Sequence, residues 1–358
     1  MKHLTILILL FLPAMASGQY QYGFLRETFF GRQPSARAEA MGRGYSSIDG
    51  DLTSIFFNPA GIATIKGLEI DGSFSSPYYT LSSAQYDFVS IGYKVSDHVI
   101  VGLSRNHFTY GQEFTFADVN GNTYGPYTPE NSNYTLTLSS QPIKNLFIGL
   151  NTNYLVWKPL GKPESAIYFD FGAIKKFYIF EKNGVMHSVN IGASITNFNN
   201  AKTSFEIMDD TYTADLPVIT RYGTNYQFKL DKHLIIDTLE TLNFLFQGEY
   251  KMLLNSPYHS GIHTGAEIEL LEILSIRMGY YMEKEYNYGF PAVNKDEISE
   301  ITYGFGLQLP IHKLTKLPLN INFDYTSLPQ PSLSKRMPGF DNFKTYNLRL
   351  NWTFQDGK

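Results

Sequence analysis

The sequence predicts an all-β fold: a transmembrane antiparallel up-and-down barrel of about fourteen strands, with an N-terminal segment folded into its lumen. Three observations lead there: an export-type amino terminus, an aromatic-rich but charge-poor composition, and a long succession of roughly ten-residue segments of alternating polarity.

The amino terminus sets the compartment. Met1, Lys2 and His3 form a short positive start, residues 4–12 are apolar apart from Thr5, and Ala16-Ser17-Gly18 offers small residues for cleavage before Gln19. This is the pattern of a secretory signal peptide, so residues 1–18 are expected to be removed. The apolar run stops at Pro13 and is too short to span a bilayer as a helix.

Composition narrows the class. Phe 27, Tyr 26 and Trp 2 make 15% aromatics, while charged residues are 17% of the 358, against about 25% in an ordinary soluble domain. A disordered chain is excluded. With a mean hydropathy of -0.20 and no run near the ~20 apolar residues a helical span needs, so is a helical membrane bundle. A formal net charge of -4 gives no basic field that would recommend nucleic acid. Cys 0 removes disulfides, thiolate catalysis, iron–sulfur clusters, Cys-based zinc sites and lipoprotein anchoring together. An exported, aromatic-rich chain of this kind is either a secreted soluble β protein or an outer-membrane barrel.

Residues 67–354 carry the alternation. The clearest segments are 85–95, 99–110, 145–157 and 188–198; others start near Leu68, Asn133, Ala166, Pro217, Leu242, Tyr258, Ile273, Ile301, Leu317 and Thr345. A short apolar cluster ending in glycine recurs at Gly102, Gly149, Gly192, Gly279 and Gly304, as though each marked a strand leaving the same rim. Before these glycines the turns are short, at 96–97, 142–145, 271–272 and 311–316. The opposite connections are long, at 111–130, 199–215, 284–300 and 327–344. Such segregation is expected between the periplasmic and external ends of a membrane barrel, and a soluble sandwich has no reason for it. The last segment, 346–354, alternates strictly through Trp352 to Phe354, resembling the C-terminal insertion signal of outer-membrane barrels, and is followed by a short tail, 355–358. Trp157, Trp352 and the tyrosines at segment ends are expected in interfacial girdles.

Residues 19–66 do not read as strands. The acidic turn Asp49-Gly50-Asp51 can cap a short apolar helix at 52–57, stopped by Asn58-Pro59. A segment this small cannot build its own core, so it must pack against something, and a barrel of this size has a lumen to fill. Ala40-Met41-Gly42, Asp49 with Asp51, and residues 54–61 ending in Asn58-Pro59-Ala60-Gly61 resemble the N-terminal hatch of FadL-type outer-membrane transporters. Ser35-Ala36-Arg37-Ala38 and the shorter loops look more like the Bacteroidetes PorV/PorQ branch of that superfamily. The resemblance implies a fourteen-stranded barrel with residues 19–66 as a hatch domain and Met41, Gly42, Asp49, Asp51, Asn58, Pro59, Ala60 and Gly61 as its motif. In the transporter branch, hatch movement and a lateral opening pass hydrophobic molecules to the membrane; in the PorV/PorQ branch, the barrel serves type IX secretion.

Enzyme chemistry is not expected. Gly42-Arg43-Gly44 lacks the lysine and preceding strand of a phosphate loop. Residues 118–122 imitate part of a calcium loop, lack its closing Glu, and read as a hairpin turn. His259 and His263 are four apart, which on a strand separates them by about 13 Å, too far to share a metal; both read as lumen-facing or interfacial. His187-Ser188 and His259-Ser260 put neighbours on opposite strand faces, which spoils a nucleophile–base pair. No cofactor or metal is expected.

The functional expectation is a non-enzymatic barrel of the Gram-negative outer membrane, contacting membrane lipids and the barrel assembly machinery. Its first reading is a PorV/PorQ-like accessory of protein secretion and surface attachment, with secretion-system proteins or secreted substrates as partners. The alternative is a FadL-type channel for uptake of hydrophobic small molecules such as long-chain fatty acids. Phe114, Phe116, Tyr124 and Tyr127 in one long loop, and Leu333, Met337 and Phe340 in another, carry an unusual apolar load and are the expected contacts of partner or ligand.

Overall fold

The computed structural model describes residues 30, 35–75, 84–117, 123–158, 163–207, 210–231, 235–236, 239–254, 260–286, 295–315, 317–328 and 343–353. The strands in chain order are β1 (Leu68–Ser75), β2 (Gln85–Ser96), β3 (Val99–Thr109), β4 (Phe114–Ala117), β5 (Thr123–Tyr127), β6 (Glu130–Ile143), β7 (Leu146–Lys158), β8 (Glu164–Lys182) and β9 (Val185–Thr196). They continue with β10 (Lys202–Ile207), β11 (Asp210–Asp215), β12 (Ile219–Leu230), β13 (Leu242–Leu253), β14 (Ser260–Leu270), β15 (Leu274–Tyr286), β16 (Lys295–Leu309), β17 (Leu319–Leu328) and β18 (Phe343–Trp352). Fourteen of them close into one barrel in the order β1-β18-β17-β16-β15-β14-β13-β12-β9-β8-β7-β6-β3-β2. The remaining four form two separate hairpins, β4–β5 and β10–β11. Every segment read from the sequence corresponds to a barrel strand.

Alternation explains why the sheet closes this way round. Along β1, Glu69, Asp71, Ser73 and Ser75 are buried, while Ile70 and Phe74 are exposed; along β18, Asn347 and Arg349 are buried, while Leu348 and Leu350 are exposed. Val89, Ile91, Leu103, Leu136, Leu138, Ile191, Met278 and Leu307 extend the apolar exterior around the wall. The interior is the polar side, the inverse of a soluble domain. Trp352 stands on the outer face as expected, but Trp157 does not: it is 7% exposed and packs inside. The period of two settles this, because Asn151, Asn153, Leu155 and Trp157 share one face of β7, and that face meets the lumen.

The two rims differ as the loop lengths suggested, with corrections. At one rim the connections 97–98, 144–145, 183–184 and 271–273 are tight; Asn183 and Gly184 both have positive φ, as a two-residue hairpin turn requires. The turn at 311–316 contains a short helix, Ile311–Leu314, and the connection 231–241 on this rim is long. On the other rim, 111–130 and 199–215 are not plain loops but carry the two hairpins, 159–163 is short, and β15 and β16 run further into the expected loop 284–300.

The N-terminal segment forms helix α1 (Ala36–Ala40) and two 3-10 turns, Leu52–Phe56 and Pro59–Thr64. Ser35 caps α1 by accepting from Ala38 N–H; Asp51 caps the first turn through Thr53 N–H, and Asn58 the second through Ala60 N–H. The capping turn and the stop at Asn58-Pro59 match the sequence reading, although the apolar stretch forms a tighter 3-10 turn than an α-helix. Ala36, Ala38, Met41, Tyr45, Leu52, Ile55, Ala60 and Ile62 are almost wholly buried. Residues 1–18, Leu333, Met337, Phe340, Phe354 and the tail lie outside the described residues.

Candidate functional site

The glycines of the internal repeat are where the N-terminal segment touches the wall. Four of the five face a further glycine across a neighbouring strand: Gly102 faces Gly92, Gly149 faces Gly172, Gly192 faces Gly223, and Gly279 faces Gly265. A Cβ at Gly279 would overlap Gly42 N, one at Gly172 would overlap the Asn58 side chain, and one at Gly149 would overlap Pro59. The repeat therefore marks a flattened inner belt that lets another backbone approach. The rim reading of these glycines accounted for their regularity but missed this contact.

Asn58 fixes one side of the seat. Its Nδ2 donates to Ser46 O at 2.6 Å and to the wall carbonyls of Ala173 at 3.2 Å and Ala193 at 3.3 Å. Pro59, Ala60 and Gly61 continue along β6, β7 and β8, and Ser194 Oγ donates to Phe57 O at 2.6 Å. Met41 and Gly42 fix the opposite side. Gln247 Nε2 donates to Met41 O at 2.8 Å, Gly42 N donates to Thr302 Oγ1 at 3.1 Å, and His263 Nδ1 lies 2.7 Å from Gly42 O. Gly42 has a φ of 74°, a left-handed conformation that suits glycine at a position so close to two strands. His263 is thus lumen-facing, as expected; His259 lies outside the described residues. His187 instead sits on the outer face, 2.6 Å from the Tyr226 hydroxyl, while its neighbour Ser188 is buried on the inner one.

Charge holds the segment in register. Asp51 accepts from Arg37 Nη1 at 3.0 Å, Arg349 Nη2 at 2.8 Å and Tyr45 Oη at 2.5 Å. Arg37 also forks onto Glu267, at 2.9 and 2.6 Å, and Glu267 with Asp324 holds Arg277. Burial alone would raise the Asp51 carboxyl, but the Arg349 and Arg37 guanidiniums hold it well below the usual carboxylate range. Burial pushes the Tyr45 phenol well above its ordinary value. Around Asp49, Asn190 Nδ2 donates at 2.7 Å and Lys176 Nζ lies at 3.3 Å. A second group joins Glu283 to Arg43 at 3.3 Å and to Lys251, while Glu249 accepts Tyr45 N at 2.8 Å and Ser46 N at 2.7 Å.

The segment divides the lumen. Toward the tight-turn rim lies a polar cavity of about 490 Å³ lined by residues including Asp49, Lys66, Lys176, Lys229, Glu240 and Lys313. Toward the long-loop rim lies an apolar cluster of Phe30, Tyr86, Phe108, Leu155, Trp157, Ala166, Tyr168, Leu216, Ile219 and Leu253. Phe30 belongs to this cluster, its ring 5.6 Å from that of Tyr168. Between cluster and segment is a layer of amides: Asn106, Asn133, Asn151 and Asn153, with Asp170. None of these was singled out from the sequence. A signal existed, since each is a polar residue in phase with the inward face of a strand whose other face is apolar.

In the β4–β5 hairpin, Phe114 pairs with Tyr127 and Phe116 with Tyr124, so the expected loop contacts share one short ladder.

No protein-family model matches the sequence, and no curated protein matches it. Among solved structures, a FadL homologue of Pseudomonas aeruginosa aligns with 90% of this chain and 99% of its own, at 10% identity and a TM-score of 0.46. The toluene transporter TbuX of Ralstonia pickettii aligns with 92% and 100%, at 10% identity and 0.46. The toluene transporter TodX of Pseudomonas putida aligns with 90% and 98%, at 11% identity and 0.44. Likeness this distant assigns neither function nor ligand.

Proposed function

We propose that this chain is an outer-membrane barrel of FadL type that takes up a hydrophobic small molecule from outside the cell. In this reading residues 1–18 are the signal peptide, 19–66 the hatch, 67–354 the barrel and 355–358 a tail. The apolar exterior supports the membrane setting, since a water-exposed surface of that extent is not found on soluble monomers. The observation that carries the ligand reading is the Phe30–Trp157–Tyr168 cluster: a buried apolar group inside the barrel, on the long-loop side of the amide layer. Hydrophobic transport therefore takes precedence over the secretion reading.

The secretion-accessory reading keeps one supporting observation. The N-terminal segment is tied to the wall through the glycine belt and the Asp51 ion group, so the barrel is filled at mid-height, as a holder of protein partners at its surface could be. One experiment separates the two. Deleting residues 332–340 and, separately, replacing Trp157→Ser should each leave a folded barrel. Under the transport reading both lower uptake of hydrophobic compounds by cells and leave surface display of secreted proteins intact. Loss of display with the deletion, and normal uptake with both, would return the secretion reading to first place.

A further inference from the structure

The amide layer has an imbalance that specifies a ligand head group. Asn106 and Asn133 lie directly opposite each other on β3 and β6, both facing the lumen and 4% and 7% exposed. Both amide nitrogens donate within the wall: Asn106 Nδ2 to Tyr86 Oη at 3.0 Å, and Asn133 Nδ2 to Thr135 Oγ1 and Asn153 Oδ1, both at 3.0 Å. Below them, Asn151 and Asn153 spend Nδ2 donors on Asp170 at 2.9 and 2.8 Å. Left over are the two carbonyl oxygens, Asn106 Oδ1 and Asn133 Oδ1, buried and without a partner. A buried acceptor left unpaired is costly, so these two oxygens call for a donor.

The space fits that reading. A cavity of about 30 Å³ touches both asparagines, Asp170 and the Phe30 ring. That is room for one small polar group, such as a hydroxyl, and not for a larger head. Arg221 also borders it, but its guanidinium lies over the Phe56 and Phe57 rings, at 5.6 and 5.7 Å, and 3.7 Å from Glu249. A carboxylate head would meet two carbonyl oxygens and Asp170. Above the cavity the Phe30 side chain fills the apolar cluster as a bound aromatic molecule would.

We propose that this site takes a hydrophobic alcohol: the hydroxyl donates to the paired carbonyl oxygens of Asn106 and Asn133, and the apolar body displaces the Phe30 ring. The proposal rests on the uptake reading above and narrows its substrate class. Selectivity comes from the donor requirement, because a hydrocarbon leaves both acceptors unpaired and a carboxylate offers them only further acceptor oxygens.

The test uses the full chain in detergent with Trp352→Phe, which leaves Trp157, inside the cluster, as the sole tryptophan. Benzyl alcohol, toluene and benzoate are titrated against its emission. Benzyl alcohol should give a saturable change, toluene should bind about tenfold more weakly, and benzoate should be weakest. Phe30→Ala should tighten benzyl alcohol and toluene together, and Asn106→Leu with Asn133→Leu should bring the alcohol down to the toluene level. Equal binding of alcohol and toluene to the wild-type site, or benzoate ranking first, overturns the head-group assignment and leaves the uptake reading standing. Absence of saturable binding by any probe, in both the wild-type site and Phe30→Ala, overturns both. An alcohol preference that survives the double Leu variant shows that other groups make the selection. The wild-type ranking decides even if the double variant fails to fold.

Discussion

Asp71 on the first barrel strand and Arg349 on the last lie directly opposite each other in register, and Arg349 Nε is 3.2 Å from Asp71 Oδ2. The same guanidinium reaches Asp51 of the N-terminal segment through Nη2 at 2.8 Å. One side chain thus ties the closing seam of the barrel to the segment in its lumen. Asn347 adds to the seam, donating to Asp71 Oδ1 at 2.9 Å and to Ser73 Oγ at 2.8 Å.

Arg349→Met should destabilise the closed barrel strongly, by about 3–5 kcal/mol, because it removes the cationic partner of the buried Asp71 and leaves Asp51 with Arg37 alone. The temperature at which the folded, heat-modifiable gel band disappears should fall. Arg349→Lys should recover little of it, since one ammonium nitrogen cannot take the separate Nε and Nη2 positions from which Arg349 reaches Asp71 and Asp51. Adding Asp71→Asn to Arg349→Met should restore part of the loss; no restoration would mean the seam ion pair is not the cause.

Acid should release the N-terminal segment only at low pH. The folded-state pKa of Asp51 is depressed, so its stabilisation is fully present above the ordinary carboxylate value of 3.8 and is lost as pH falls below it toward the folded value. Titration of Asp51 should therefore cause no rise in the protease accessibility of residues 35–65 between about pH 8 and 5. In Asp51→Asn this acid-dependent step should shrink. An opening with its midpoint near neutrality would assign the trigger to another group.

The belt glycines should be far less tolerant than glycines elsewhere in the wall. Gly279→Ala places a methyl against Gly42 N and should loosen the segment, exposing it to protease. Gly72→Ala and Gly248→Ala, where an added Cβ meets nothing within 4 Å, should behave as the parent does. Equal effects at all three positions would count against a packing role for the belt.

Cysteines at positions 58 and 172 should form a disulfide on mild oxidation, since Gly172 sits against the Asn58 side chain. With Cys 0 in the parent chain, the product is unambiguous. If instead a bulky impermeant thiol reagent added from outside labelled Asn58→Cys freely, residues 58–61 would not occupy the lumen.

The alternation from Leu68 to Trp352 was enough to place fourteen strands, because a period of two with one apolar face reports side-chain direction locally. For the same reason, Asn58-Pro59 and Asp51 could be read as a stop and a cap. What a single strand cannot reveal is which inward residue meets which. Asp51, Arg349 and Asp71 are separated by up to 298 positions, yet share one ion group, because closure of β1 on β18 brings the first and last barrel strands together beside the N-terminal segment. Trp157 was misplaced because tryptophan suits an interfacial girdle and a lumen core equally well, and only the phase of β7 decides between them. The amide pair of Asn106 and Asn133 is a matter of register between β3 and β6; a shift of one residue would turn one of them to the outer face, so its chemistry exists only in the closed sheet.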